Sequence, residues 1–144
     1  MIVLHVVFKV GSAEYAMPAG QVLQMESYSG ATTVPGAPPY VLGIVQVRGR
    51  VVPVINLRAR FGLPDVAPTL DSRIVVGQDG ERPVALLVDS AREVVNLAED
   101  QLEAPPAILV EESQGYVKSV ARLGARLLMV IDFHNVIGEE SLGG

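Results

Sequence analysis

Residues 43–57 constrain this chain more than any other stretch. Two apolar, β-branched arms, 44–47 and 51–55, flank Arg48, Gly49 and Arg50. Valine and isoleucine suit a pleated, half-buried surface, and a glycine at the turn supplies the positive φ that a tight hairpin needs. The arms therefore read as a core hairpin. A hairpin in the core obliges its neighbours to be strands, and it leaves Arg48 as a cation fixed near the tip.

The rest of the chain agrees. Strand-type runs rich in Val, Ile and Leu fall at about 3–10, 13–17, 22–28, 41–47, 51–57, 73–78, 82–88, 93–97, 117–122 and 126–132. Their spacing of ~8–12 residues, with turn residues between them, predicts an all-β barrel or sandwich. Turns are expected at Gly11-Ser12, Arg48-Gly49, Asp79-Gly80 and Gly124-Ala125. Pro53 removes a ladder donor within a strand and so predicts an edge or a bulge, whereas Pro83 sits at a strand start. Short helical turns are expected at 18–22, 57–61, 98–102 and 133–137. Two connections are long, 29–40 and 62–72, and the second is expected to mark the division of the chain into two units.

Composition removes several classes. The 144 residues carry 11 basic and 16 acidic side chains, a formal charge of −5. No basic patch is present to neutralise phosphates or an anionic membrane surface, so neither nucleic acid nor membrane is an expected partner. Mean hydropathy is high at +0.37, yet no run approaches the ~20 apolar residues of a membrane span. The alternation that begins at once, with Leu4, Val6, Phe8 and Val10 on one face and His5, Val7 and Lys9 on the other, reads as a strand and not as a signal peptide. Cysteine is absent, so there is no disulfide or thiolate metal site, and a cytoplasmic location is expected.

Chemistry-bearing patterns are sparse. Asp132 and His134, with Asn135 and Glu139 nearby, are the only grouping suggestive of a metal or acid–base site, as in a small all-β metal-dependent enzyme. The simpler expectation is that Asp132 caps a helical turn and His134 is solvated, because no third ligand is fixed. His5 is expected on an outward face without a partner. Ser27, Ser90 and Ser119 lack a nucleophile elbow, and no phosphate-binding glycine loop appears. No cofactor, metal or catalytic activity is expected.

The 43–57 pattern resembles the signature hairpin of the CheW family, scaffold proteins that couple chemoreceptors to a histidine kinase. In that family the hairpin reads as a small glycine, apolar residues, Asn-Leu-Arg-Gly, then an apolar run with proline and a closing Asp-Leu-Arg. Further blocks follow in family order: residues 8–18, the proline-rich approach 34–43, the strand, Val-Asp corner and strand at 82–97, and the closing 116–137. The resemblance covers nearly the whole chain. It implies a single domain over 1–144 made of two packed five-stranded SH3-like barrels with short helical turns, between which strands are open to exchange.

It also implies a non-enzymatic adaptor at membrane-associated receptor arrays, binding the regulatory domain of a CheA-type kinase and the helical hairpin tip of a chemoreceptor. Arg48 and Gly49 fall on the family's Arg-Gly pair, and the implied binding groove is formed by Val22, Gln24, Val45, Arg48, Gly49 and Val94. The family steadies that arginine with an acidic residue where this chain has Gln24. An amide accepts one hydrogen bond but offers no bidentate charged pair. Gln46-Val47 replaces Asn-Leu, and Asn56 replaces the aspartate before Leu57-Arg58. These departures leave open a scaffold of a pilus, gliding or surface-sensing array. Glu103, Ala107 and Ile108 lie where the family makes a second kinase contact; a solvated loop beside a buried Ile108 is the equal alternative.

Overall fold

The hairpin forms as its sequence demands. Strands β4 (Val41–Val47) and β5 (Arg50–Asn56) pair antiparallel, with Val47 opposite Arg50, so Arg48 and Gly49 alone make the turn. Both are left-handed, at φ 49° and 80°. That is the I′ geometry, whose twist matches the flanking strands. The computed structural model describes residues 1–138.

Before the hairpin come β1 (Ile2–Val10), β2 (Ala13–Pro18) and β3 (Val22–Ser27). After it come α1 (Leu57–Arg60), β6 (Arg73–Asp79), β7 (Arg82–Val88) and β8 (Ser90–Ala98). The described residues close with β9 (Leu102–Glu103), α2 (Ala107–Glu112), β10 (Val117–Leu123), β11 (Arg126–Ile131) and α3 (Phe133–Ile137). Every predicted strand is present. The two-residue β9 and the helix α2 are additional: α2 begins directly after Pro105-Pro106, which suits a residue type that tolerates a helix start but not its interior.

The strands form two sheets, ordered β8-β1-β2-β11-β10-β9 and β3-β6-β7-β5-β4. Each closes through its own chain. In the first, β8 runs through a 3₁₀ turn at Glu99–Gln101 into β9, so the two edge strands are one interrupted strand curling around the barrel. In the second, the chain leaving β3 crosses to β4, where Thr32 and Ile44 exchange backbone bonds of 2.9 and 2.8 Å. This crossing sits on Gly43, at φ 145°, where a Cβ would stand 2.0 Å from the Thr32 carbonyl oxygen. Pro53 lies beyond the stretch of β5 that pairs with β7, which begins at Val54, so its missing N–H interrupts no ladder on that side.

Three apolar clusters follow from strand alternation. Val7, Ala16, Leu97, Ala121, Leu128 and Val130 fill the first barrel. Val47, Val52, Val54, Ile74, Val76 and Ala85 fill the second. The largest cluster lies in the seam between them and includes Phe8, Tyr15, Met17, Val75, Leu86 and Phe133. Strand β7 is buried on both faces, with Ala85 in the second barrel and Val84, Leu86 and Val88 in the seam, which explains its unbroken apolar run.

Two expectations are corrected. The 62–72 connection joins α1 to β6 and lies within the second sheet, so it does not divide the units; the chain changes sheets at the short corners between β2 and β3 and at Asp89. The first barrel consequently takes strands from both chain ends. His5 does not face outward. It is 3% exposed on the interior side of β1, with Nδ1 3.0 Å from the Val3 carbonyl oxygen.

Candidate functional site

Side chains directly opposite in an antiparallel pair share a face, which places each expected site residue. Val94 lies opposite Val6, and Val22 packs on the seam cluster, so these two belong to the seam. Gln24 and Glu26 lie opposite Val76 and Ile74, and Val45 opposite Val52, so all three point into the second barrel. Arg48 and Gly49 stand at the hairpin tip. Among the described residues Arg48 makes no hydrogen bond or ion pair, and nothing joins it to Gln24. An exposed arginine held left-handed without an internal partner contributes nothing visible to the fold that holds it.

Sequence reasoning missed a second element. Ile2 and Leu4 share the seam-facing side of β1 with Val6 and Phe8, and Met25 lies opposite Val75 on the seam-facing side of β3. Leu4 is 50% exposed, Val94 51% and Met25 41%. These apolar side chains lie on the seam-facing sides of their strands and stay exposed. The period-2 pattern gave their face; only the packed barrels show where cover stops.

The two barrel interiors end differently. In the first, Arg126 bonds to Glu14 at 2.5 Å and Glu93 at 2.6 Å, all on the interior side of their strands. The Arg126 hydrogen bonds hold both carboxyls below the ordinary glutamate range and raise the guanidinium. In the second, Glu26, Tyr28, Thr32, Val45, Gln46 and Val47 border an open cavity of about 810 Å³.

Other departures are absorbed locally. Asn56 caps α1 by accepting from the Arg58 backbone N–H at 3.1 Å. Arg58 finds its carboxylate in Asp89 instead, through bonds of 3.0 and 2.7 Å, and Asp89 also accepts from the Gly11 N–H at 2.8 Å. The Arg58 guanidinium holds the Asp89 carboxyl below its usual range, against the opposing effect of burial.

Asp132 caps α3 by accepting from the Asn135 N–H at 3.2 Å and does not meet His134. His134 is not merely solvated, because its Nδ1 lies 2.6 Å from Asp79 of β6. No metal-competent cluster of His, Cys, Asp and Glu occurs among the described residues, and Glu139 lies outside them. Glu103 pairs with Arg122 at 2.7 Å, and Ala107 and Ile108 open α2, where Ile108 is 69% exposed and not buried. No helix among the described residues is long and apolar enough to cross a membrane.

The chain is an all-β domain of two packed barrels, with exposed apolar side chains along the seam and an exposed cation at a hairpin tip. The chain is a member of the CheW-like domain family, whose profile matches residues 4–141. It is 34% identical to the chemotaxis protein CheW of Bacillus subtilis, over 94% of this chain and 87% of that protein. It is 28% identical to the CheW of Rhizobium meliloti over the same shares. Among solved structures it matches the scaffolding protein TtCheW of Thermoanaerobacter tengcongensis with a TM-score of 0.88 and 27% identity, covering 94% of this chain and 92% of that one.

Proposed function

We propose that this protein is a non-enzymatic adaptor that holds chemoreceptors and a CheA-type histidine kinase in one signalling array, on the cytoplasmic side of the membrane. The observation that carries the reading is Arg48, a cation kept in a left-handed turn, exposed, and without an internal partner. The exposed apolar side chains of Leu4, Met25 and Val94, on the seam-facing sides of their strands, suit the helical tip of a receptor, and Arg48 supplies register and specificity. Val45 borders the open end of the second barrel, and Gln24 lies on the barrel-facing side of β3, so neither joins the seam-facing side chains. On α2, exposed Ile108 and Val110 support a second contact with the kinase regulatory domain; Glu103 enters it only as the partner of Arg122. An adaptor that binds both proteins couples their conformational equilibria.

Capture of purified kinase and of receptor-bearing membranes by the wild-type and Arg48→Ala proteins tests this. The variant is expected to melt as wild type and to lose roughly 2–4 kcal/mol of binding, the range of a hot-spot truncation. Wild-type capture by Arg48→Ala would refute the placement of the site.

A further inference from the structure

The three short helices are held in different ways. Asn56 caps α1, which buries Leu57, and Asp132 caps α3, which buries Phe133, Val136 and Ile137. The helix α2 has neither support. Pro106 at its start offers no side-chain cap, and none of its six residues is buried. A helix this short depends on tertiary packing, because its own hydrogen bonds do not hold it in water.

The packing beneath α2 is incomplete. A cavity of about 410 Å³ separates Leu109 and Ser113 on the α2 side from Tyr15, Phe61 and Met129 on the other. Ser113 Oγ is buried and bonds to nothing, which costs free energy while the helix stays docked. The chain leaves through Gln114, a left-handed residue at φ 54° that is not glycine.

Hydrogen bonding shows where this weakness stops. Among the described residues, every bond made by residues 106–114 stays within 106–116. The flanks are tied to the body of the protein. Before α2, Leu102 and Glu103 pair with β10, and Glu103 meets Arg122. After it, the Gly115 carbonyl accepts from Asn135 Nδ2 at 3.0 Å, and the Tyr116 carbonyl accepts from the Asp132 N–H at 2.8 Å. Arg60 lies over the Tyr116 ring, 5.0 Å from its centroid, and donates to the Val136 and Asn135 carbonyls. It thereby fixes that flank to α1 and α3.

We propose that residues 104–114 form a hinged flap that opens as a unit between fixed ends at Glu103 and Gly115, while both barrels stay folded. Segments with few buried apolar contacts open locally at free energies far below that of global unfolding. Closed, the flap presents Ile108 and Val110 as a helical pair. Open, it uncovers the aromatic row beneath. A partner that reads the helical pair binds only the closed form and so shifts the flap toward it; this consequence rests on the second kinase contact proposed above.

Native-state amide exchange of the full-length protein in low urea tests the flap. The Val110 and Ser113 amides, bonded only within the segment, are expected to exchange at least ~100-fold faster than core amides of β1 and β7, with little dependence on urea. The Asp132 amide, bonded just beyond the hinge, is expected to exchange with the core. Ser113→Ala removes the unbonded hydroxyl and Leu109→Trp fills the cavity from α2, and each is expected to slow flap exchange several-fold. Flap amides that exchange with the core, an Asp132 amide that exchanges with the flap, or faster flap exchange in both variants would overturn the proposal. Added kinase regulatory domain is expected to slow flap exchange toward that of the core. If that domain does not bind while the free protein shows the expected pattern, the flap stands and the second contact falls. Binding through α2 with flap exchange unchanged would overturn the coupling.

Discussion

At one end of the first barrel Arg126 bridges Glu14 and Glu93 across three strands and seals the interior with charge, whereas one end of the second barrel holds Glu26 and Val45 beside an open cavity. Their closures differ in the same sense. The first is reinforced by side chains: Gln101 Oε1 accepts from the Ala98 N–H at 2.7 Å while its Nε2 donates to the Arg122 carbonyl at 3.3 Å, and Arg122 pairs with Glu103. The second rests on one backbone bridge, Thr32 to Ile44, crossing a glycine. Two barrels of similar plan thus end differently. One is tied off by charged side chains, and the other keeps an open end and a cationic hairpin tip.

The sharpest way to break this contrast is Gly43→Ala. Its Cβ would meet backbone, which cannot swing aside, so the bridge must open and a loss of about 3 kcal/mol or more is expected in urea melts. Gly49→Ala on the same hairpin meets no atom within 4 Å and should cost only the ~1–2 kcal/mol of a left-handed residue. Equal losses from the two would mean that closure does not depend on the crossing.

Asp89, at the corner where the chain passes between barrels, comes next. Asp89→Asn leaves Arg58 without its charged partner and should cost roughly 1–3 kcal/mol at neutral pH. Because the folded carboxyl titrates below its unfolded value of about 3.9, its contribution is complete above that pH and disappears as pH falls through the lowered folded value. The variant should therefore show a shallower loss of stability between about pH 4 and pH 2 than wild type. Parallel acid profiles would assign the acid sensitivity to other carboxylates.

Gln101→Ala should cost about 1 kcal/mol and increase amide exchange in β9 and β10 while leaving β3 to β7 protected as before. Spread of the effect into the second barrel would show that the closures are coupled. The smallest expected change is at Arg48. Arg48→Gly relieves a left-handed non-glycine residue, so thermal melting should be unchanged or raised by up to ~1 kcal/mol, while partner capture falls. A destabilised Arg48→Gly protein would make the arginine structural.

Much of this was legible in the sequence, and the gaps share a physical origin. Alternating valines locate strands because pleat periodicity is local, and the I′ turn at Arg48-Gly49 is spelled out by two residues. Period 2 assigns residues to two faces without saying which face curls inward, so His5 read as exposed. Loop length marks 62–72 as a long connection, yet the chain changes sheets at tight corners with no length signal. The helix α2 is one and a half turns and exposes Ile108 and Val110, so it carries no amphipathic stripe to detect. The Arg58–Asp89 pair is 31 residues apart, and the exposure of Leu4, Met25 and Val94 depends on tertiary packing that alternation does not encode.

The parallel pairing of β2 with β11, Tyr15 beside Met129 and Ala16 beside Val130, gives the two barrels different birthdays. On the ribosome every strand of the second barrel has been made once residue 88 is out, whereas the first barrel lacks its last strand until residue 131. The nascent β1–β2 hairpin must wait in between for β8 and β11, its partners on either side. The seam offers Phe8, Tyr15 and Met17 a finished surface in Val75, Leu86 and Val88 before their own barrel exists. The earlier-made unit thereby presents the apolar surface on which the later one packs, and transiently exposed apolar strands are the ones prone to aggregate.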